Sequence, residues 1–142
     1  MKYLSSTLFI FLSCIFISHA QHYSVEKTSF VYKVVDGDSL EMIVYKPQMN
    51  IETILPAMVF FFGGGWVSGT PDPFQLHAEY FASRGMISIC PDYRTKSRHN
   101  VSPFECVKDA KSAIRYIKIN GIKMGIDTSR IVSAGGSAGG HL

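Results

Sequence analysis

The chain has 142 residues, enough for one domain, and is 46% hydrophobic and 18% charged. That balance buries a core and excludes extended disorder. Lys and Arg outnumber Asp and Glu by only 14 to 11, and the basic residues are scattered, so the dense positive face that nucleic acid or an anionic membrane needs is missing; the short cluster Arg94, Lys96, Arg98 reads as a solvated loop.

Lys2 is the only charge before Glu26, and an apolar run from Leu8 to Ile17 leads to Ser18-His19-Ala20. A charged start, a short apolar middle and a small-residue exit describe a signal peptide over residues 1–20, cleaved after Ala20. The run falls short of the roughly 20 residues of a membrane span. The expected product is secreted or periplasmic, with no stable membrane span. Cys14 leaves with the leader, so Cys90 and Cys106 remain. Outside the cytosol two thiols can pair, but Cys90 falls in an apolar strand and Cys106 in a helix. Two free, buried thiols are the favoured expectation. No Cys/His cluster has metal-ligand spacing, and no cofactor or metal is expected.

Residues 21–29 are polar and read as a loose mature N-terminus. Phe30–Val35 and Leu40–Tyr45 are strand-like runs joined at Asp36-Gly37-Asp38, a short hairpin signal. Residues 47–53 read as a loop. Pro56–Phe62 is a continuous apolar run without alternation, which predicts a central strand covered on both faces. The spacing predicts a helix over Phe74–Arg84 with Gly85 as its stop. Met86–Cys90 predicts a second buried strand, and 95–101 a polar loop. Ser102, Pro103 and Glu105 form a helix start of the capping-box kind. The helix that follows presents Phe104, Val107, Ala110, Ile114 and Ile117 on one face and is expected to end at Gly121. Ile131–Ala134 predicts a third buried strand. Alternating strands and helices predict a mostly parallel sheet with helices on both faces, and ligands at the carboxyl ends of its strands.

Two glycine-rich segments fall at such ends. Gly135-Gly136-Ser137-Ala138-Gly139 contains G-x-S-x-G directly after a predicted strand. A serine raised on a strand-to-helix turn needs neighbours that are nearly free of side chains, and Gly135, Ala138 and Gly139 meet that demand. Gly63-Gly64-Gly65 follows an earlier strand. Acyl transfer develops an oxyanion, and glycines let backbone N–H groups turn toward it. Gly64, Gly65 and Ala138 are the expected donors. A phosphate cradle is the alternative, but no G-x-x-x-x-G-K-[ST] follows.

FFGGGW, PDYR and GGSAGGHL, in this order and spacing, resemble the esterase/lipase branch of the α/β-hydrolases, near its hormone-sensitive-lipase-like and acetyl-esterase groups. The resemblance spans residues from about 30 to 142. It implies an α/β-hydrolase fold, with residues 30–142 as the N-terminal part of that domain. It also implies Ser137 as nucleophile, Gly64, Gly65 and Ala138 as oxyanion donors, and structural work near the site for Gly63, Gly135, Gly139, Asp92 and Arg94. Two departures stand out. Many relatives carry a histidine before the glycines that braces the loop, and here Phe62 takes its place. The family's acid and histidine follow the nucleophile, so both are expected beyond Leu142, and the 142 residues are expected to be an inactive part of a longer enzyme. Upstream histidines offer no replacement: His22, His77 and His99 read as solvated or packing residues. His141 is expected to point away from the serine. Asp92 reads as a scaffold residue and Asp109 as a solvated helix residue. Trp66 either lines an acyl pocket or anchors its loop.

Ser137 is thus expected to attack a small-molecule or glycan-linked carboxylic ester. A serine peptidase or lactonase on the same scaffold is the alternative, since fold does not fix substrate. A non-catalytic truncated domain is the reading of a different class.

Overall fold

The computed structural model describes residues 22–49 and 53–142; the expected signal peptide lies outside the described residues. Five strands form one sheet in the order β1-β2-β4-β3-β5. They are β1 (Val25–Val35), β2 (Asp38–Pro47), β3 (Leu55–Phe61), β4 (Ile87–Pro91) and β5 (Ile126–Gly135). The helices are α1 (Gln75–Ser83), the single turn α2 (Lys96–His99) and α3 (Pro103–Met124), with 3₁₀ turns at Asp72–Phe74 and Ser137–His141.

The hairpin forms where the sequence places it. Val35 pairs with Asp38, leaving Asp36 and Gly37 as a two-residue loop, both at positive φ (52° and 87°). That geometry matches the twist of the flanking strands, and Asp and Gly are residues that tolerate it. β1 begins at Val25, so residues 25–29 are paired strand rather than loose terminus. Their polar side chains lie on a sheet edge, where one face meets water and backbone pairing with β2 supplies the order.

β3 pairs in parallel with β4 and with β5, whereas β1–β2 and β2–β4 are antiparallel. The sheet is therefore mixed, and its parallel part is the part that carries the glycine segments. Strand alternation sorts side chains onto two faces. Leu40, Met42, Val44, Ala57, Val59, Phe61, Ile87 and Ile89 pack with Cys106, Ala110, Ala113 and Ile117 of α3. Tyr45, Phe60 and Cys90 pack with Ala78 and Ala82 of α1 on the other face. Cys90 and Cys106 are free and buried on opposite faces. Burial pushes the Cys90 thiol up to about 12, which keeps it a protonated small hydrophobe.

Several local expectations change in three dimensions. Residues 95–101 include a helical turn, closed at Asn100 in the left-handed conformation. The face that α3 buries is Cys106, Asp109, Ala110, Ala113, Ile117 and Gly121, while Phe104 is 77% exposed. Phe104 comes two residues before the buried Cys106, which puts it on nearly the opposite side of the helix from the buried stripe. Ser102 does begin α3, but its hydroxyl meets the Glu105 carboxylate instead of the backbone. The helix passes through Gly121 and ends at Gly125, which takes φ 80°. Gly121 serves close packing instead: a Cβ there would stand 2.5 Å from the Thr128 methyl. β5 was expected to be buried, but it is an edge strand among the described residues and Val132 is half exposed.

Candidate active site

Both glycine segments arrive at the same end of the sheet because β3 and β5 are parallel neighbours, with Phe61 paired to Gly135. The Gly136 N–H donates to the Phe61 carbonyl (3.2 Å). Past that bond the chain turns sharply. Ser137 takes φ 51°, a left-handed conformation uncommon for a residue with a side chain. Its side chain is exposed, while Ala138 and Gly139 directly behind it are buried. The turn closes with a Gly139 N–H bond to the Gly136 carbonyl (2.9 Å). The bends on either side of the serine require glycine for space. A Cβ on Gly135 would stand 2.2 Å from the Gly139 carbonyl oxygen, and one on Gly139 would stand 2.1 Å from the Phe61 oxygen. Such backbone strain, held in place by its surroundings, is typical of a positioned reactive group.

Gly63 leaves β3 against this turn: a Cβ there would meet the Gly136 oxygen at 2.7 Å and the Ser137 Cβ at 3.3 Å. The loop then curls back. The Val67 and Ser68 N–H groups donate to the Gly64 carbonyl (3.0 and 3.1 Å). Gly64 and Gly65 take φ 130° and 62°. Among the described residues, their N–H groups donate to no backbone carbonyl. Two uncommitted donors therefore lie in a loop that starts in contact with Ser137.

Phe62 braces this loop. Its buried ring stacks on Tyr93 with centroids 4.0 Å apart, and its carbonyl accepts the Tyr93 hydroxyl at 2.7 Å. The far side of the loop is tied to α2, where the Lys96 and Ser97 N–H groups donate to the Trp66 and Val67 carbonyls. Trp66 stacks on His141 at 5.9 Å and lines a cavity of about 320 Å³ with Gly65, Asn100 and Pro103. It therefore packs against its neighbours and lines a space beside the glycines. A larger cavity, about 490 Å³, runs along the open side of β5 between Phe61, Ile114 and Leu142. Its wall includes Gly135, Gly139 and Gly140 of the serine turn but not Ser137.

Asp92 and Arg94 follow the end of β4. Asp92 pairs with Arg98 (2.6 and 2.8 Å). Arg94, expected in a solvated loop, is buried. Its guanidinium meets Asp109 at 2.8 Å and Asp36 of the hairpin at 2.8 Å. Asp109, expected to face solvent, is fully buried and also meets Lys33 at 2.6 Å. Burial alone would raise its carboxyl, but hydrogen bonds from Arg94 and Lys33 outweigh that and hold it below the usual carboxylate range. Periodicity puts this residue near the stripe but names no partner that would let a carboxylate be buried there. Asp109 follows Cys106 by three positions and precedes Ala113 by four, on the buried stripe.

The histidines fall as follows. His77 packs its ring against Phe74 (5.6 Å) and Phe60 (6.3 Å). His99 Nδ1 accepts the Thr95 N–H at 3.0 Å and so caps α2. His22 is exposed, and His141 is engaged by Trp66. The structure thus brings the turn of Ser137, Ala138 and Gly139 together with the loop of Gly63, Gly64 and Gly65, whereas Asp92 pairs with Arg98 and Arg94 with Asp109 and Asp36.

A family model, BD-FAE, matches residues 42–142. Among curated proteins, the carboxylesterase NlhH of Mycobacterium tuberculosis is 35% identical over 103 residues, covering 70% of this chain and 30% of the relative. Among solved structures, the native form of the thermophilic esterase Est2 of the planctomycete Thermogutta terrifontis is 48% identical with a TM-score of 0.75, covering 84% of this chain and 42% of that one. Its butyrate-bound form is 48% identical with a TM-score of 0.76. The chain spans less than half the length of these relatives. Its mixed sheet, with a serine turn after β5 and a glycine loop after β3, is part of an α/β-hydrolase fold, and the chain belongs to the BD-FAE family.

Proposed function

We propose that this chain carries the nucleophile and oxyanion-binding half of a carboxylic ester hydrolase. The observation that carries the reading is Ser137 itself. It is held at φ 51° on an exposed turn, in contact with a loop whose Gly64 and Gly65 N–H groups have no backbone acceptor among the described residues. Ser137 Oγ attacks the ester carbonyl carbon while its proton passes to a general base. The carbonyl oxygen becomes an oxyanion that accepts hydrogen bonds from Gly64, Gly65 and Ala138. The C–O bond to the alcohol breaks, and the alcohol leaves with a proton. Water then attacks the acyl-serine, releasing the acid and restoring Ser137. Residues beyond Leu142 are the proposed source of the base and its orienting acid, because His77 is engaged in packing and His99 in capping, and His22 lies exposed on the N-terminal segment. The butyrate complex of the Thermogutta esterase favours a short acyl group. The charge and hydropathy of residues 1–20 favour action on esters outside the cytosol.

The test uses protein expressed from its full reading frame. Hydrolysis of p-nitrophenyl butyrate is expected, with little action on the matching anilide. Ser137→Ala is expected to lower kcat by at least about 10⁴-fold. A fluorophosphonate probe is expected to label the peptide containing Ser137. Activity that survives Ser137→Ala, or a label on another residue, would overturn the reading.

A further inference from the structure

One carbonyl stands between the two halves of the site. The Phe62 oxygen precedes Gly63-Gly64-Gly65 on one side. On the other it faces the serine turn so closely that a Cβ on Gly139 would stand 2.4 Å from it. The Tyr93 hydroxyl donates to this oxygen at 2.7 Å. Any rotation of the Phe62–Gly63 peptide would move the start of the glycine loop and its distance from Ser137 together. The tyrosine that holds this peptide therefore bears on both segments.

Tyr93 is itself tightly fixed. Its side chain is fully buried and its ring lies parallel to Phe62, 11° from coplanar. Its N–H donates to Asp92 Oδ1 at 2.8 Å. Arg98 donates to its carbonyl at 2.9 Å, and the Tyr32 hydroxyl donates to the Asp92 carbonyl at 2.7 Å. Opposite, Gly69 presses on the Phe62 ring, where a Cβ would meet ring carbons at 2.7 and 2.9 Å. Phe62 is thus clamped between Tyr93 and the returning loop. Burial pushes the Tyr93 phenol up to about 12, so it remains a donor across the working pH range.

We infer that Tyr93 is a positioning residue: through the Phe62 carbonyl, its hydroxyl sets the placement of the Gly64 and Gly65 N–H donors relative to Ser137. This rests on the ester-hydrolase reading above. It adds a residue that touches no substrate and acts only through the loop it braces. A donor displaced by a fraction of an ångström serves the transition state worse than the ground state, so the effect belongs in kcat and not in KM.

The experiment is Tyr93→Phe in the full-length enzyme, which keeps the stacked ring and its volume and removes only the hydroxyl. With p-nitrophenyl butyrate, kcat is expected to fall about 10- to 100-fold while KM stays within about twofold. Affinity for a trifluoromethyl ketone, whose adduct places an oxyanion on the same donors, is expected to fall by a similar factor. Tyr45→Phe, another buried tyrosine on the far face of the sheet, is expected to leave kcat unchanged. An unchanged kcat and ketone affinity in Tyr93→Phe, or a rise in KM alone, overturns the inference. If Tyr93→Phe does not fold, Phe62→Leu carries the test. It keeps the acceptor carbonyl but removes the ring that aligns Tyr93, and an unchanged kcat there overturns the inference equally. Loss of activity in Ser137→Ala alongside a normal Tyr93→Phe would reject only the positioning role. Hydrolysis insensitive to Ser137→Ala would reject the reading beneath it.

Discussion

The two glycine-rich segments look alike in sequence, and the instructive contrast is between the crowded glycines of the serine turn and one glycine of the loop, Gly65. After β5, Gly135 and Gly139 are demanded by space, since a Cβ on either would stand 2.2 Å or less from backbone oxygen. After β3, Gly63 and Gly64 are crowded in the same way, with a Cβ 2.7 Å from the Gly136 oxygen and 2.0 Å from the Ser68 oxygen, but Gly65 has nothing within 4 Å of where its Cβ would be, and its φ of 62° is the constraint. The serine turn is therefore a packed object, held by backbone against backbone. The glycine loop is packed at Gly63 and Gly64 and only shaped at Gly65, and it is tied to the Tyr93 hydroxyl and to α2. Packing tolerates almost no change, whereas conformation tolerates some at a modest cost, so Gly139 and Gly65 should respond differently to the same substitution.

The largest expected effect is at the packed segment. Gly139→Ala would drive a methyl group into the Phe61 and Phe62 carbonyls, neither of which can move without shifting β3. The loss is expected to be about 4 kcal/mol in a urea titration, with activity lost as well. A loss below about 1 kcal/mol would mean that the turn adjusts and is not rigidly packed.

The support behind the loop comes next. Asp109→Asn leaves the buried Arg94 guanidinium and Lys33 without their carboxylate and is expected to cost about 3 kcal/mol at neutral pH. The pH dependence has a definite sign. The folded carboxyl lies below its ordinary value, so its stabilisation is complete above the unfolded value of about 3.9 and is lost as pH falls through the lower folded value. Wild-type protein should therefore weaken on acidification below about pH 4, and Asp109→Asn should show a flatter profile in that window. Equal slopes in urea titrations across this range would remove Asp109 from the account. Hydrogen exchange at low pH would sharpen the contrast, with the amides of 63–69 exposed before those of 135–139.

The smallest effect is at Gly65. Gly65→Ala places a methyl group in open space at a left-handed φ and is expected to cost only about 1 kcal/mol in the same titration. A cost equal to that of Gly139→Ala would erase the distinction between the two positions.

The serine turn and the glycine loop were legible because their demands are local. A turn that must expose a side chain on a tight bend needs glycine within two residues, and that is visible in GGSAGG. The hairpin at Asp36-Gly37 was legible for the same reason. Asp109 was not, because nothing near it in sequence announces Arg94 or Lys33 as partners. Tyr93 was visible within PDYR but its task was hidden, since Phe62 follows a different strand, 31 positions away. Phe104 misled because the stripe that α3 buries runs through Cys106, Ala110 and Ala113, and Phe104 lies nearly opposite it on the helix.

By itself the sequence determined where strands, helices and turns lie, which turns must be glycine, and that a serine stands at the top of a strand. These follow from backbone dihedral limits and from the two side-chain periodicities, which act over a few residues. Only the tertiary structure decided that β3 and β5 are neighbours, and hence that two glycine segments some seventy positions apart form one site. It also decided that α3 buries an aspartate and that a tyrosine from β4's end stands where the loop needs a brace. These outcomes depend on strand order and on which face meets which, and no local rule carries that information.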